Sequence, residues 1–118
     1  MMKMFFGCSS LENLDLSFFD TSEVSSMEMA FYGCISLTSL EISNFYTIST
    51  NNLKFMFYQC SSLTSLNLPH FDTSKISEDN LFSIFDECKQ LNLYINTLKC
   101  SNLISVIPSY VKIYNITE

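Results

Sequence analysis

An α/β repeat array is the fold class this sequence predicts: a solenoid whose units of about 26 residues each supply one short parallel strand and one short helical turn. Three observations predict it. Cys8, Cys34 and Cys60 stand 26 residues apart, and Cys88 follows 28 residues later. Apolar residues recur at fixed offsets from each cysteine. The blocks around the cysteines are near copies of one another: Gly7-Cys8-Ser9-Ser10-Leu11, Gly33-Cys34-Ile35-Ser36-Leu37 and Gln59-Cys60-Ser61-Ser62-Leu63. Self-similarity at such a period is the mark of an array of stacked supersecondary units.

The strand half comes from the leucines. Leu11, Leu14 and Leu16 form a Leu-x-x-Leu-x-Leu run, repeated as Leu37, Leu40, Ile42 and Leu63, Leu66, Leu68. Its last three positions alternate, as a strand with one buried face requires. The pattern is that of a leucine-rich-repeat solenoid. The helical half is read from Val24, Met27, Ala30 and Phe31, whose spacing of three, three and one marks one face of a helical turn. Phe5, Phe31, Phe57 and Phe85 hold the same place in four successive units, and Phe19, Phe45 and Phe71 hold another. Neither half buries its apolar face alone, but stacked neighbours do. Asp20-Thr21-Ser22 and Asp72-Thr73-Ser74 lie between the halves and suit turns and helix starts, because their side chains bond nearby backbone donors.

The chain therefore divides, as one domain over residues 1–118, into units at about 1–26, 27–52, 53–80 and 81–95. The third unit carries two extra residues near Glu78-Asp79-Asn80, which a loop absorbs. In the fourth, Leu93 and Ile95 alternate one place early. Residues 96–118 read as a degenerate repeat and C-terminal cap, with a strand at Val111 and Ile113. The N-terminus enters directly at the Met-Phe-Phe-Gly-Cys half of a unit, so the chain is expected to be a fragment of a longer array.

Composition narrows the function classes. With 47% hydrophobic and 15% charged residues the chain is of the folded kind. A net charge of −6, with six lysines and no arginine, argues against nucleic acid and against anionic membranes. No apolar run is long enough for a membrane span. The first eight residues lack the apolar stretch of a signal peptide.

Chemistry-bearing residues have plain structural readings. The cysteines at one repeat position should form an internal row of small buried hydrophobes, with disulfide formation between stacked neighbours as the alternative. Metal binding needs clustered ligands such as Cys-x-x-Cys, and the sequence has none. No cofactor motif is present. His70, the only histidine, takes the place of Phe18 and Asn44 and reads as a solvated loop residue; no serine and carboxylate recur with it as a triad requires. Asp15 and Glu41 occupy equivalent strand positions. Their proximity would raise a pKa, but a solvated sheet face is the simpler reading. An enzyme would need a site that breaks the repeat symmetry. Only residues 96–118 could hold one, and they contain no histidine and a single acid, Glu118, so no enzyme is expected. Asn115-Ile116-Thr117 fits a glycosylation acceptor.

Binding remains. Side chains between the buried leucines point outward: Asn13, Ser39 and Ser65; Asp15, Glu41 and Asn67; Ser17, Ser43 and Pro69. This polar, slightly acidic face is the first candidate surface. The second is the aromatic row Phe6, Tyr32 and Tyr58, two residues before each cysteine: a protein anchor if exposed, core if buried.

The unit Met-Phe-Phe-Gly-Cys-Ser-Ser-Leu-x-x-Leu-Asp-Leu-Ser-x-Phe-Asp-Thr-Ser-x-Val resembles the BspA-like leucine-rich repeats of surface proteins from host-associated bacteria, including mycoplasmas, and some protists. The resemblance covers residues 1 to about 95. It implies a right-handed curved solenoid at the cell surface, acting in adhesion through a protein partner such as a host or extracellular matrix protein. An intracellular or structural scaffold without catalytic activity is the competing expectation.

Overall fold

The computed structural model describes residues 1–116; Thr117 of the glycosylation motif and Glu118 lie outside the described residues. Leucine alternation does produce the strands. They are β1 (Asn13–Asp15), β2 (Ser39–Glu41), β3 (Ser65–Leu68), β4 (Asn92–Ile95) and β5 (Lys112–Asn115). All pair in parallel, in a two-stranded sheet β1-β2 and a three-stranded sheet β3-β4-β5. Leu14 lies opposite Leu40 in the first sheet. In the second, Leu66 lies opposite Leu93, and Leu93 opposite Ile113. β2 and β3 are in contact, but among the described residues no ladder joins them, so the row Leu14, Leu40, Leu66 is split between two sheets.

The expected helical turn over Val24–Phe31 is absent. Residues 27–34 are instead a run of overlapping turns whose amides alternate in direction. The N–H groups of Met27, Met29, Phe31 and Gly33 donate outward, to the carbonyls of Asn52, Lys54, Met56 and Tyr58 in the next unit, at 2.8–2.9 Å. The intervening N–H groups of Ala30, Tyr32 and Cys34 donate back three residues, to Met27, Met29 and Phe31. The pattern repeats before and after: Lys3, Phe5 and Gly7 donate to Glu28, Ala30 and Tyr32, and Phe55, Phe57 and Gln59 to Phe82, Ile84 and Asp86. A helix would keep all these bonds inside its own unit. Here half of them tie neighbouring units together.

Such alternation needs left-handed backbone at fixed places. It occurs five residues before each repeat cysteine, at Lys3, Met29, Phe55 and Ser83, and one residue before, at Gly7, Gly33, Gln59 and Glu87. The apolar spacing of three, three and one fits this turn series as well as it fits a helix, which is why the two are indistinguishable by periodicity. Among the described residues, helix is confined to the one-turn α1 (Ser101–Ile104) and a 3-10 turn at Glu78–Asn80, where the third unit's extra residues are absorbed. Ser77 caps that turn by accepting from the Asp79 amide at 3.3 Å.

The interior is built of rows. The rings of Phe5, Phe31, Phe57 and Phe85 lie face to face at centroid distances of 5.5, 5.5 and 5.2 Å. Beside them the thiols of Cys34, Cys60 and Cys88 donate to the carbonyls of Phe5, Phe31 and Phe57 at 3.2, 3.2 and 3.0 Å. Cys100 belongs to another row: it donates to the carbonyl of Phe71 at 3.2 Å. All five cysteines are free, and only Cys8, at the open end of the row, is less than fully buried. Burial pushes the Cys34 thiol up to about 11, with neighbouring Cys8 adding to the effect, and the Cys88 thiol up to about 12. Burial likewise raises Cys60 and Cys100.

Gly33 has φ +74°, and a Cβ there would come no nearer than 3.7 Å to another atom. Gly33→Ala therefore strains the backbone without a clash and should lower stability by about 1 kcal/mol. Gln59→Gly should raise it by about 0.5 kcal/mol, since relief of strain exceeds the entropy glycine adds to the unfolded chain. Urea midpoints of the two variants check both signs. For the thiols, a thiol reagent at neutral pH should modify Cys8 first and leave the buried four protected until unfolding. Their folded pKa values lie above the ordinary 9.0, so the stability they confer is complete below pH 9 and is lost as pH climbs toward about 11, where Cys34 titrates. A stability plot flat from pH 8 to 11 would contradict this.

Candidate functional site

Asn13, Asp15, Ser39, Glu41, Ser65 and Asn67 lie on strands and are exposed; Ser17, exposed, and Ser43, half-buried, lie instead in the turns that follow β1 and β2. Asn13 faces Ser39 and Asp15 faces Glu41 across the β1-β2 ladder. Ser65 and Asn67 stand on the second sheet, where they face Asn92 and Tyr94. The row continues to Tyr114, whose ring stacks on Tyr94 at 4.9 Å. The strand face thus runs from two carboxylates at one end to two tyrosines at the other.

The adjacent carboxylates do not raise one another's pKa overall. Asp15 is held below its usual range by the hydroxyl and amide of Ser17, the amide donating at 2.9 Å. Glu41 is lowered likewise by Ser43, whose hydroxyl and amide donate to one oxygen at 2.6 and 3.0 Å; the push from Asp15 is the smaller effect. Both are therefore ionised at neutral pH, and this end of the face carries two fixed negative charges.

The aromatic row is neither fully core nor fully exposed. Phe6, Tyr32 and Tyr58 stack face to face at 4.8 Å, with Phe6 exposed and both tyrosines half-buried. Phe55 meets Tyr32, Tyr58 and exposed Phe82 edge-on. Lys3 sits 5.8 Å over the Phe6 ring. The row is a continuous aromatic ridge along one side of the units.

A third surface was not visible in the sequence. An open groove of about 530 Å³ lies where the turns after β2 and β3 meet residue 99, and Tyr46, Ile48, His70, Asp72, Lys75 and Lys99 are among its lining residues. His70 stacks on Tyr46 at 4.4 Å, so the residue expected to be a solvated loop histidine is half-buried in a groove wall. Beneath it runs a buried threonine row. Thr21 donates to the Tyr46 carbonyl and accepts from the Tyr46 amide, at 2.9 and 2.8 Å. Thr47 does the same with Asp72, at 2.9 Å each way. Thr73 donates to the Asn102 side chain at 2.6 Å. Asp72 is lowered chiefly by its bond from Ser74, and Lys99 and Lys75 add to the effect.

Among the described residues no cluster of three or more His, Cys, Asp or Glu side chains is placed to hold a metal ion, and no helix is long and apolar enough to cross a membrane. The family model described as "Mycoplasma protein of unknown function, DUF285" matches residues 1–113. The chain belongs to that family. The match extends beyond residue 95, through α1 and into β5, so the irregular tail falls within the same family region as the repeats. No curated protein and no solved structure matches the chain.

Sequence reasoning placed the strand face and named the aromatic row. It missed Tyr94 and Tyr114 because the early Leu93 hides the pairing of Leu66 with Leu93. It missed the groove because the groove joins different offsets of successive units. The threonine row could have been found from its spacing: Thr21, Thr47 and Thr73 stand 26 residues apart. Thr47→Val removes both bonds to the Asp72 backbone and should cost about 2 kcal/mol in a denaturant titration, against less than about 0.5 kcal/mol for Thr38→Val on the exposed surface.

Proposed function

We propose that this chain is a protein-interaction module, a leucine-rich-repeat solenoid of the BspA-like kind. It acts in adhesion at a cell surface and binds its partner through the outward strand face. The reading takes the partner to be a protein, such as a host or extracellular matrix component, and takes the chain to be non-catalytic. One observation carries it: Asn13, Asp15, Ser39, Glu41, Ser65 and Asn67 stand exposed on the parallel strands of the two sheets, with Ser17 exposed in the turn after β1, all free of any role in the core. Extended faces of this kind are how stacked-repeat proteins meet partners. Membership of a family described from Mycoplasma supports the surface reading, because the resemblance includes mycoplasma surface proteins.

The interior supports a binding rather than a reacting role. The thiols of Cys34, Cys60 and Cys88 are spent on backbone carbonyls and held protonated by burial, so they are poor nucleophiles. The carboxylates of Asp15 and Glu41 are ionised and solvated, which suits attraction of a basic partner surface rather than proton transfer.

The test is capture of a host-cell surface extract on the immobilised chain, compared with the triple variant Asn13→Lys, Ser39→Glu, Ser65→Lys. Alternating signs on neighbouring strands keep cross-strand attraction, so the variant should fold and melt normally. A partner retained by the natural chain and lost by the variant is the expected result. Equal retention by both would rule out the strand face as the contact, and retention by neither would leave the structural-scaffold reading.

A further inference from the structure

The second unit departs from its neighbours at Tyr46-Thr47-Ile48-Ser49, where the first and third have Asp-Thr-Ser, and the groove opens there. Its charge is opposite to that of the chain. Two lysines line it against one carboxylate, in a chain of net charge −6. Lys75 and Lys99 are both exposed, and among the described residues neither ammonium is in a salt bridge. Asp72 offsets only one of these two positive charges, and its Oδ1 also accepts from the Ser74 amide and hydroxyl, at 3.0 and 2.6 Å. Beside the lysines, Ile48 stands 82% exposed and Tyr46 45% exposed. An isoleucine left that open next to unpaired ammonium groups is an apolar contact waiting beside a cationic one. A smaller hollow of about 150 Å³ near Lys89 and Lys112 lacks this arrangement, since Lys89 is tied to Glu87 at 3.5 Å.

We propose that this groove binds an acidic peptide segment of a protein partner, with a carboxylate held between Lys75 and Lys99 and a neighbouring apolar side chain packed on Ile48 and Tyr46. The volume of about 530 Å³ suits a short stretch of side chains rather than a whole domain face. The chain's acidic balance disfavours a nucleic acid, whose many phosphates the remaining surface would repel. The groove lies off the outward strand face, so the proposal does not rest on that face being a binding surface.

The probe is a short fluorescein-labelled peptide alternating glutamate and leucine, titrated with the whole chain by fluorescence anisotropy at low and at physiological salt. Binding should weaken as salt rises. Lys75→Gln with Lys99→Gln should weaken it about tenfold or more, and Ile48→Ser severalfold. Lys89→Gln should leave it unchanged. All four positions are exposed, so the variants should fold, which their melting curves verify. The proposal is overturned if a glutamine-leucine peptide binds equally well or the double lysine variant binds as the natural chain does. It is also overturned if free glutamate competes as strongly as the peptide, if a labelled oligonucleotide binds more tightly, or if the peptide does not bind at all.

Discussion

Every second amide in the turn segments leaves its own unit and bonds to the next, and the rest of the structure follows from that constraint. The Met27–Gly33 segment shows it most fully, with four successive outward bonds to residues 25 positions on. A ladder of this kind holds successive units at roughly the spacing of paired strands, near 4.8 Å. Side chains at one repeat position must then sit one above another at that interval. Flat rings suit it, which is why the interior holds four phenylalanine rings within 5° of parallel and the surface holds a second stack of Phe6, Tyr32 and Tyr58. The ladder also asks eight residues to adopt left-handed backbone, six of them not glycine. Each such residue costs about 1–2 kcal/mol. The bonds between units, worth about 0.5–1.5 kcal/mol each, offset that only because they come in rows and bring apolar faces into contact.

Two polar rows show how the same constraint treats buried hydrogen-bonding groups. A thiol at the cysteine position reaches the phenylalanine carbonyl of the preceding unit, and a threonine hydroxyl reaches the backbone of the following one. The threonine satisfies buried backbone groups of the next unit, whereas the thiol is a second donor to a phenylalanine carbonyl that already accepts the amide three residues on. Cysteine and threonine thus recur for hydrogen bonding as much as for volume. This refines the reading of the cysteines as simple core filler: Cys34, Cys60, Cys88 and Cys100 are buried and unreactive, yet each donates a bond across a unit boundary.

Legibility in the sequence followed the kind of signal. The strands could be read because alternation of buried and exposed residues has period two, and nothing else imitates it. The turn segment could not, because Met27, Ala30 and Phe31 have the spacing of a helix face whether or not a helix is present. The distinguishing sign was small: Gly7 and Gly33, the chain's two glycines, both stand one residue before a cysteine. Glycine recurring at one repeat position announces left-handed backbone there, and a helix running through Phe31 and Tyr32 would have had to end at once. In the tail, β5 was readable from Val111 and Ile113, but its partner was not. Pairing depends on the 20-residue offset between Leu93 and Ile113, which a strict 26-residue ruler conceals.

The groove was illegible for a deeper reason. A repeat ruler compares like positions, whereas a surface joins unlike ones. Tyr46 and His70 stack although they differ in repeat position, and Lys99 arrives from outside the regular units altogether. Around them the interior is unchanged, since Thr47 keeps the bonds that Thr21 makes one unit earlier. Tyr46 therefore replaces the aspartate of its neighbours without disturbing the stack, because that position carries no interior duty. Interior rows are locked by the ladder, and outward positions are released by it. It follows that breaks in the outward pattern over an intact interior are where an array of this kind can acquire a recognition site without loss of fold. Tyr46, Ile48 and His70 are such breaks, and they converge on one groove.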